Sequence, residues 1–98
     1  MIIHQREISY EKNYEEFFGT LSKMKTLLEK KFPEISVELM YNLAGQRGRA
    51  TMQIRYASLA DYERIDAEVD RDEEYRKLID SILGASGHLP VDQFYRTI

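Results

Sequence analysis

The chain has 98 residues, of which 43% are hydrophobic and 32% charged, and its formal net charge is −3. This length and balance indicate one folded domain rather than a disordered segment, and the acidic excess argues against a nucleic-acid-binding protein, which usually presents a basic face. Cysteine is absent, which excludes disulfide bonds, thiolate zinc sites and a cysteine nucleophile.

The distribution of charge also bears on location. No apolar stretch approaches the roughly 20 residues that a membrane-spanning helix needs. His4, Arg6 and Glu7 lie among the first residues, a pattern that is not typical of a signal peptide. We therefore expect a cytoplasmic protein without membrane association.

The first half of the chain predicts a strand, a helix and a second strand. Apolar and polar residues alternate over Ile2–Tyr10 and again over Ile35–Leu43, which is the period of a strand. Between them, Asn13 followed by Glu16 has the spacing of a helix-capping box, and Pro33 ends the helix. The apolar stripe of this helix comprises Tyr14, Phe17, Phe18, Leu21, Met24, Leu27, Leu28 and Phe32.

One glycine, Gly19, lies inside this predicted helix. Glycine at such a position costs about 1 kcal/mol relative to alanine, so a compensating reason is expected. We interpret Gly19 as a point of close contact between the helix and the sheet.

Two more strands are predicted in the second half of the chain. Residues alternate over Arg49–Tyr56, and the connection from the preceding strand is short and contains Gly45 and Gly48. This is a hairpin signal, so the second and third strands should pair antiparallel. After Pro90, Val91–Ile98 predicts the last strand.

The segment between the third and last strands predicts an interrupted helix. Ser58 followed by Asp61 forms a second capping box. The apolar stripe that starts at Leu59 loses its phase across the acidic residues 70–74. We expect a kinked helix or two helices, with Asp72 as the new N-cap.

This order of elements is that of a ferredoxin-like α+β fold, in which helices cover one face of a four-stranded antiparallel sheet. The pattern does not distinguish the two faces of the first and last strands.

On the uncovered face, the middle strands present Met40, Thr51 and Gln53 among charged residues, a mixture less polar than a solvent face usually is. We therefore expect two sheets to stack across a two-fold axis in a homodimer. The alternative is an ordinary amphipathic sheet with scattered surface tyrosines.

Three segments resemble the dimeric α+β barrel superfamily: the first strand with Arg6, the junction at 56–61, and residues 72–75 after the broken helix. Within that superfamily the chain most resembles NIPSNAP-like domains, with antibiotic-biosynthesis-monooxygenase-like and stress-responsive barrel domains as near relatives. The resemblance implies a homodimer with a barrel-like core of two sheets. It also implies a small-molecule pocket between the sheet and the helices of each subunit.

Departures from those relatives limit the chemistry that the resemblance implies. Tryptophan is absent, whereas quinone-forming monooxygenases and haem-degrading members rely on it. Neither histidine lies in a predicted helix, where haem degraders place an iron ligand, so no cofactor is expected. His88 and Asp92 are too few ligands for a metal site, and none is predicted.

His4 is the side chain near the sheet best suited to exchange a proton at neutral pH. Stress-responsive barrel domains and some cyclase relatives similarly place a histidine early in the first strand. We interpret His4 as a candidate general acid or base, with Tyr41, Tyr56 or Tyr95 as hydrogen-bond donors. The alternative is a structural histidine near the dimer seam.

Two arginines are candidate ligand-binding residues. Arg6 and Arg55 could face one cavity if the first and third strands are neighbours, and together they would bind a carboxylate or enolate oxygen. The alternative is that these charges form salt bridges to Glu7 or Glu38, within or across the dimer.

Two functions remain open. The chain is expected to bind an apolar, oxygen-bearing small molecule, either as a binding protein or as a cofactor-independent enzyme of the monooxygenase, isomerase or cyclase type. The alternative is a non-catalytic NIPSNAP-like dimerisation or interaction module. A single-stranded RNA binder needs aromatic side chains and positive charge on the open sheet face, and the third strand offers Thr51, Gln53 and Arg55 instead.

Overall fold

The structure is a computed structural model that describes residues 1–10, 14–43, 48–86 and 90–98. Within these ranges, no helix is long and apolar enough to cross a membrane. The elements are β1 (Ile2–Ser9), α1 (Tyr14–Lys31), β2 (Ser36–Tyr41), β3 (Arg49–Tyr56), α2 (Leu59–Asp70), α3 (Glu73–Ser86) and β4 (Val91–Arg96).

The strands form one four-stranded sheet in the order β2-β3-β1-β4, with antiparallel pairing throughout. Strand β1 is therefore central, and Arg6 lies between Met52 of β3 and Asp92 of β4. The antiparallel pairing of β2 with β3 confirms the predicted hairpin, whose turn residues 44–47 lie outside the described residues. This topology confirms the ferredoxin-like prediction.

The interrupted helix consists of two helices, each with a side-chain cap. Ser58 Oγ accepts a hydrogen bond from the backbone N–H of Asp61 at 3.2 Å. Asp72 Oδ1 accepts one from the N–H of Tyr75 at 2.9 Å, which confirms Asp72 as the N-cap of α3. Asp72 also forms an ion pair with Lys31, so the start of α3 is tied to the end of α1. The predicted cap at Asn13 lies outside the described residues.

The core lies between the helices and one face of the sheet. On β3, the side chains that face the helices are Ala50, Met52, Ile54 and Tyr56. All four are buried, and Met52 is 2% exposed. Burial also resolves which face of β1 turns inward, because Ile2, His4 and Ile8 are buried. The largest of the fully buried side chains are Ile8, Phe17, Leu21, Met24 and Ile65.

The opposite face of the sheet has a polar row across its centre. In register, Glu38 pairs with Gln53, Gln53 with Gln5, and Gln5 with Gln93. Gln5 and Gln53 are half-buried, whereas Glu38 and Gln93 are exposed. Thr51, beside this row, is only 7% exposed. This open face therefore carries a row of amide side chains, and Gln5, Gln53 and Thr51 on it are partly or fully shielded from solvent.

The close contact expected at Gly19 is not present. Gly19 is exposed on α1, and a Cβ atom added there would meet no other atom within 4 Å. The prediction is wrong because Gly19 falls outside the apolar stripe, on the solvent side of the helix.

We expect Phe17→Ala to lower the free energy of unfolding by roughly 3–5 kcal/mol, because it removes a buried ring and leaves a cavity. Phe17 is 1% exposed and its ring lies 4.9 Å from that of Tyr10. Gly19→Ala on the same helix is the matched control and should raise stability by up to about 1 kcal/mol. Urea unfolding measures both, and a loss below about 1 kcal/mol for Phe17→Ala would contradict the assigned core.

Candidate functional site

A cavity of about 370 Å³ lies between the inner face of the sheet and the three helices. Its volume falls within the range of pockets that hold small organic ligands. The sheet contributes His4, Arg6, Ile8, Ile54 and Tyr56.

The helices contribute the remaining walls of the cavity. Helix α1 adds Met24 and Leu28, and α2 adds Asp66, Val69 and Asp70. Helix α3 and the residue before β4 complete the lining with Tyr75, Ile79, Ile82, Leu83 and Pro90. The cavity is therefore largely apolar, and its polar groups come from β1, β3, α2 and the start of α3.

His4 and Arg6 share one carboxylate. His4 Nε2 lies 2.9 Å from Asp92 Oδ1. Arg6 Nε donates to the same oxygen at 2.6 Å, and Arg6 Nη2 donates to Asp92 Oδ2 at 3.1 Å. The pairing follows from strand order, since β4 lies beside β1 and Asp92 is the register partner of Arg6.

The charge state of Asp92 sets the tautomer of His4. Burial opposes ionisation of Asp92, but hydrogen bonds from Arg6 and His4 outweigh it and hold the pKa of this carboxyl below its ordinary value. An ionised carboxylate only accepts hydrogen bonds, so Nε2 of His4 carries the proton that it donates. In the neutral ring, Nδ1 of His4 is then the nitrogen with the free lone pair.

Aromatic rings fix the His4 imidazole. The Phe94 ring is stacked on it, with centroids 4.4 Å apart and planes inclined by 11°. Tyr62 of α2 approaches edge-on at 6.1 Å and also contacts Tyr56. His4 is 8% exposed. The ring is thus held by stacking on one side and by Asp92 at Nε2.

Two tyrosines bring hydroxyl groups to the cavity. Tyr56 and Tyr75 are 4% and 6% exposed, and neither hydroxyl forms a hydrogen bond in the described part of the chain. Burial raises the pKa of Tyr75 to about 12 and that of Tyr56 further still. Both therefore stay protonated at neutral pH and can donate or accept a hydrogen bond.

Acidic side chains of α2 add negative charge to the cavity. Asp66 and Asp70, one helical turn apart, both line it, and neither forms an ion pair among the described residues. Burial, followed by the nearby charge of Asp70, raises the pKa of Asp66 above its ordinary value. No local sequence pattern distinguishes these two residues, because carboxylates four positions apart on a helix are typical of a solvated face.

The structure brings together three of the predicted site residues and separates the other three. His4, Arg6 and Tyr56 line one cavity. Tyr41 lies at the sheet edge, 60% exposed and 5.9 Å from the Phe18 ring. It is therefore remote from His4 within the chain.

Arg55 and Tyr95 lie on the opposite face of the sheet from Arg6. Arg55 and Tyr95 both pair with Ile3, whereas Arg6 pairs with Met52 and Asp92. Because successive residues of a strand point to opposite faces, the prediction that Arg6 and Arg55 face one cavity is wrong within one chain. The alternative prediction, that Arg6 forms a salt bridge, is confirmed within the chain, but its partner is neither Glu7 nor Glu38.

The acceptor for Arg6 is Asp92, while Glu7 forms an ion pair with Arg49 on the open face. Sequence reasoning missed Asp92 because a pairing between residues 86 positions apart needs the strand register. Among the described residues, no group of three or more His, Asp or Glu side chains could hold a metal ion. His88 lies outside those residues.

We expect the Asp92→Asn variant to lose less stability in acid than the wild type. The folded-state pKa of Asp92 lies below its ordinary 3.8, so its stabilising contribution is fully present above 3.8 and is lost as the pH falls below 3.8 through the lower folded-state pKa. Asp66, whose pKa is raised, contributes with the opposite sign in both proteins. Urea unfolding at pH 7, 5 and 3 measures the difference, and exposed Asp80→Asn is the control. An unchanged acid loss in Asp92→Asn would contradict the ion pair.

No known family model matches the chain, and no curated protein matches its sequence. The fold matches a NIPSNAP domain protein from Burkholderia xenovorans with a TM-score of 0.81, at 10% identity over 100% of this chain and 95% of that one. An antibiotic-biosynthesis-monooxygenase-like protein from Nitrosomonas europaea matches at 0.79, with 12% identity over 100% and 99%. A cofactor-independent oxygenase from Streptomyces nogalater matches at 0.77, with 7% identity over 98% and 91%. The chain therefore has the α+β fold of NIPSNAP domain and antibiotic-biosynthesis-monooxygenase-like proteins, as the sequence resemblance predicted.

Proposed function

We propose that the protein binds a small, largely apolar molecule that bears oxygen, in the cavity between sheet and helices, and that it does so as a homodimer. The observation that carries the proposal is the cavity of about 370 Å³, whose apolar walls surround a few converging polar groups. This combination is typical of small-molecule sites.

The same observation disfavours a purely non-catalytic interaction module. Such a module would be supported by a cavity too small or too apolar to hold a polar ligand. The cavity instead contains the hydroxyl groups of Tyr56 and Tyr75, together with His4. These polar groups face the cavity and are therefore available to a ligand that carries hydrogen-bonding atoms.

His4 is the candidate for proton transfer within this cavity. Asp92 orients the imidazole by its contact with Nε2, so Nδ1 would be the nitrogen that exchanges a proton. Tyr56 would donate a hydrogen bond to a ligand oxygen. A cofactor-independent oxygenase with the same fold is consistent with chemistry of this kind, carried by side chains alone.

The open face of the sheet supports the homodimer. Thr51 is 7% exposed there, and Gln5 and Gln53 are half-buried although no helix covers them. Stacking two such faces across a two-fold axis would pair the central amides with one another and shield Met40 and Tyr95. Arg55 would then lie at the shared interface rather than in the cavity.

We expect Ile79→Phe to weaken binding of the fluorescent probe prodan, a neutral naphthalene with a carbonyl oxygen, by about tenfold or more, equivalent to about 1.4 kcal/mol. The larger side chain occupies space inside the cavity, which Ile79 lines. Leu78→Phe is the matched control, since Leu78 is its chain neighbour, is half-buried and does not line the cavity. Fluorescence titration measures both, after equal melting temperatures are verified. Equal prodan affinities in the two variants would contradict binding in this cavity.

We expect Gln53→Lys to convert the homodimer into a monomer, because two like charges would meet near the two-fold axis. Sedimentation equilibrium should give twice the chain mass of 11.6 kDa for the wild type and a single chain for the variant. Asp80→Lys, on the exposed side of α3, is the control and should stay dimeric. A wild-type protein that sediments as a monomer at high concentration would refute the homodimer.

A further inference from the structure

We propose that this cavity selects a ligand whose apolar body ends in a protonated amine, and that it discriminates against carboxylates. The proposal rests on the proposed function, since it names the head group that the same cavity accepts. It reverses the simplest expectation for a pocket containing arginine, which is that the guanidinium anchors an anion.

The charge of Arg6 is already compensated within the chain. Two of its nitrogens donate to the two oxygens of Asp92, at 2.6 and 3.1 Å. This two-point geometry is the favoured arrangement of a guanidinium with a carboxylate. A ligand carboxylate would either displace Asp92, leaving that side chain charged without its partner, or add a second negative charge to a guanidinium that Asp92 already neutralises.

The acidic groups around the cavity outnumber this one guanidinium. Asp66 and Asp70 line the cavity without an ion pair in the described part of the chain, and Asp92 only balances Arg6. The net charge of the three carboxylates and the guanidinium is therefore negative when all four are ionised. A ligand carboxylate entering beside Asp66 would be repelled, whereas an ammonium group would gain a partner.

Two tyrosines that line the cavity point independently to a ligand. The side chains of Tyr56 and Tyr75 are more than nine-tenths buried, and their hydroxyls, which form no hydrogen bond in the described residues, are accessible from the cavity. A phenolic oxygen accepts a hydrogen bond from an ammonium N–H, and a tyrosine ring face attracts a cation. Neither group requires a ligand anion.

The electrostatics of Asp66 favour the binding of a cation. Burial and the neighbouring charge of Asp70 raise its pKa, so its ionised form is disfavoured by the surrounding chain. A positive head group between these two carboxylates would relieve that repulsion. Asp66 and Asp70 are exposed at the cavity mouth, so their attraction for a cation should weaken with added salt.

The test uses three ligands with one apolar body: 4-phenylbutylamine, 4-phenylbutan-1-ol and 4-phenylbutanoate, each competing with prodan at pH 7. We expect the amine to bind at least about tenfold more tightly than the carboxylate, with the alcohol between them. The amine's advantage should shrink when the salt concentration is raised.

Variants assign that preference to the acidic pair. The double variant Asp66→Asn/Asp70→Asn should lower amine affinity to that of the alcohol and leave alcohol affinity unchanged. The control is Asp80→Asn, an exposed acid on α3 outside the cavity lining, which should change neither. Isothermal titration calorimetry measures all three proteins.

The outcomes distinguish a failure of the amine preference from a failure of the proposed small-molecule binding. The preference for an amine is refuted, while the proposed function stands, if the carboxylate displaces prodan as strongly as the amine does. It is also refuted if the double variant still prefers the amine. Absence of prodan binding to the wild type overturns the proposed function and the inference with it.

Discussion

The ion pair between Arg6 and Asp92 is the constraint on which the site depends. Strand β1 is central in the sheet, so a charge on its inner face destabilises the fold unless a neighbouring strand supplies the opposite charge. Asp92 on β4 supplies that compensation and also holds Nε2 of His4. The position of the imidazole, the charge of the cavity and the docking of the last strand are thereby coupled.

Much of the fold could be predicted from the sequence because its signals are local. Alternation and two glycines predicted the β2–β3 hairpin, and the loss of phase after Val69 predicted the break at Asp72. The interpretation of Gly19 was wrong because its position outside the apolar stripe of α1 places it on the solvent side of the helix, where the packed structure leaves it exposed.

The site was less predictable because it depends on register and on facing. His4, Arg6 and Tyr56 lie in one cavity as expected, but Arg55 lies on the opposite face. The mixed composition of β1 and β4 gave no strong alternation by which to choose a face. Asp92 could be recognised as a partner only from its place opposite Arg6, which no short-range pattern encodes.

The break between α2 and α3 has a consequence for how such a pocket can diversify. Helix α2 carries the carboxylates of the lining, and α3 carries three of its aliphatic side chains, Ile79, Ile82 and Leu83. Because Asp72 anchors the start of α3 to Lys31 of α1, α3 is oriented by a contact separate from α2. Substitutions on one helix can therefore retune polarity while those on the other reshape volume, so the two properties can evolve as independent traits on an unchanged sheet.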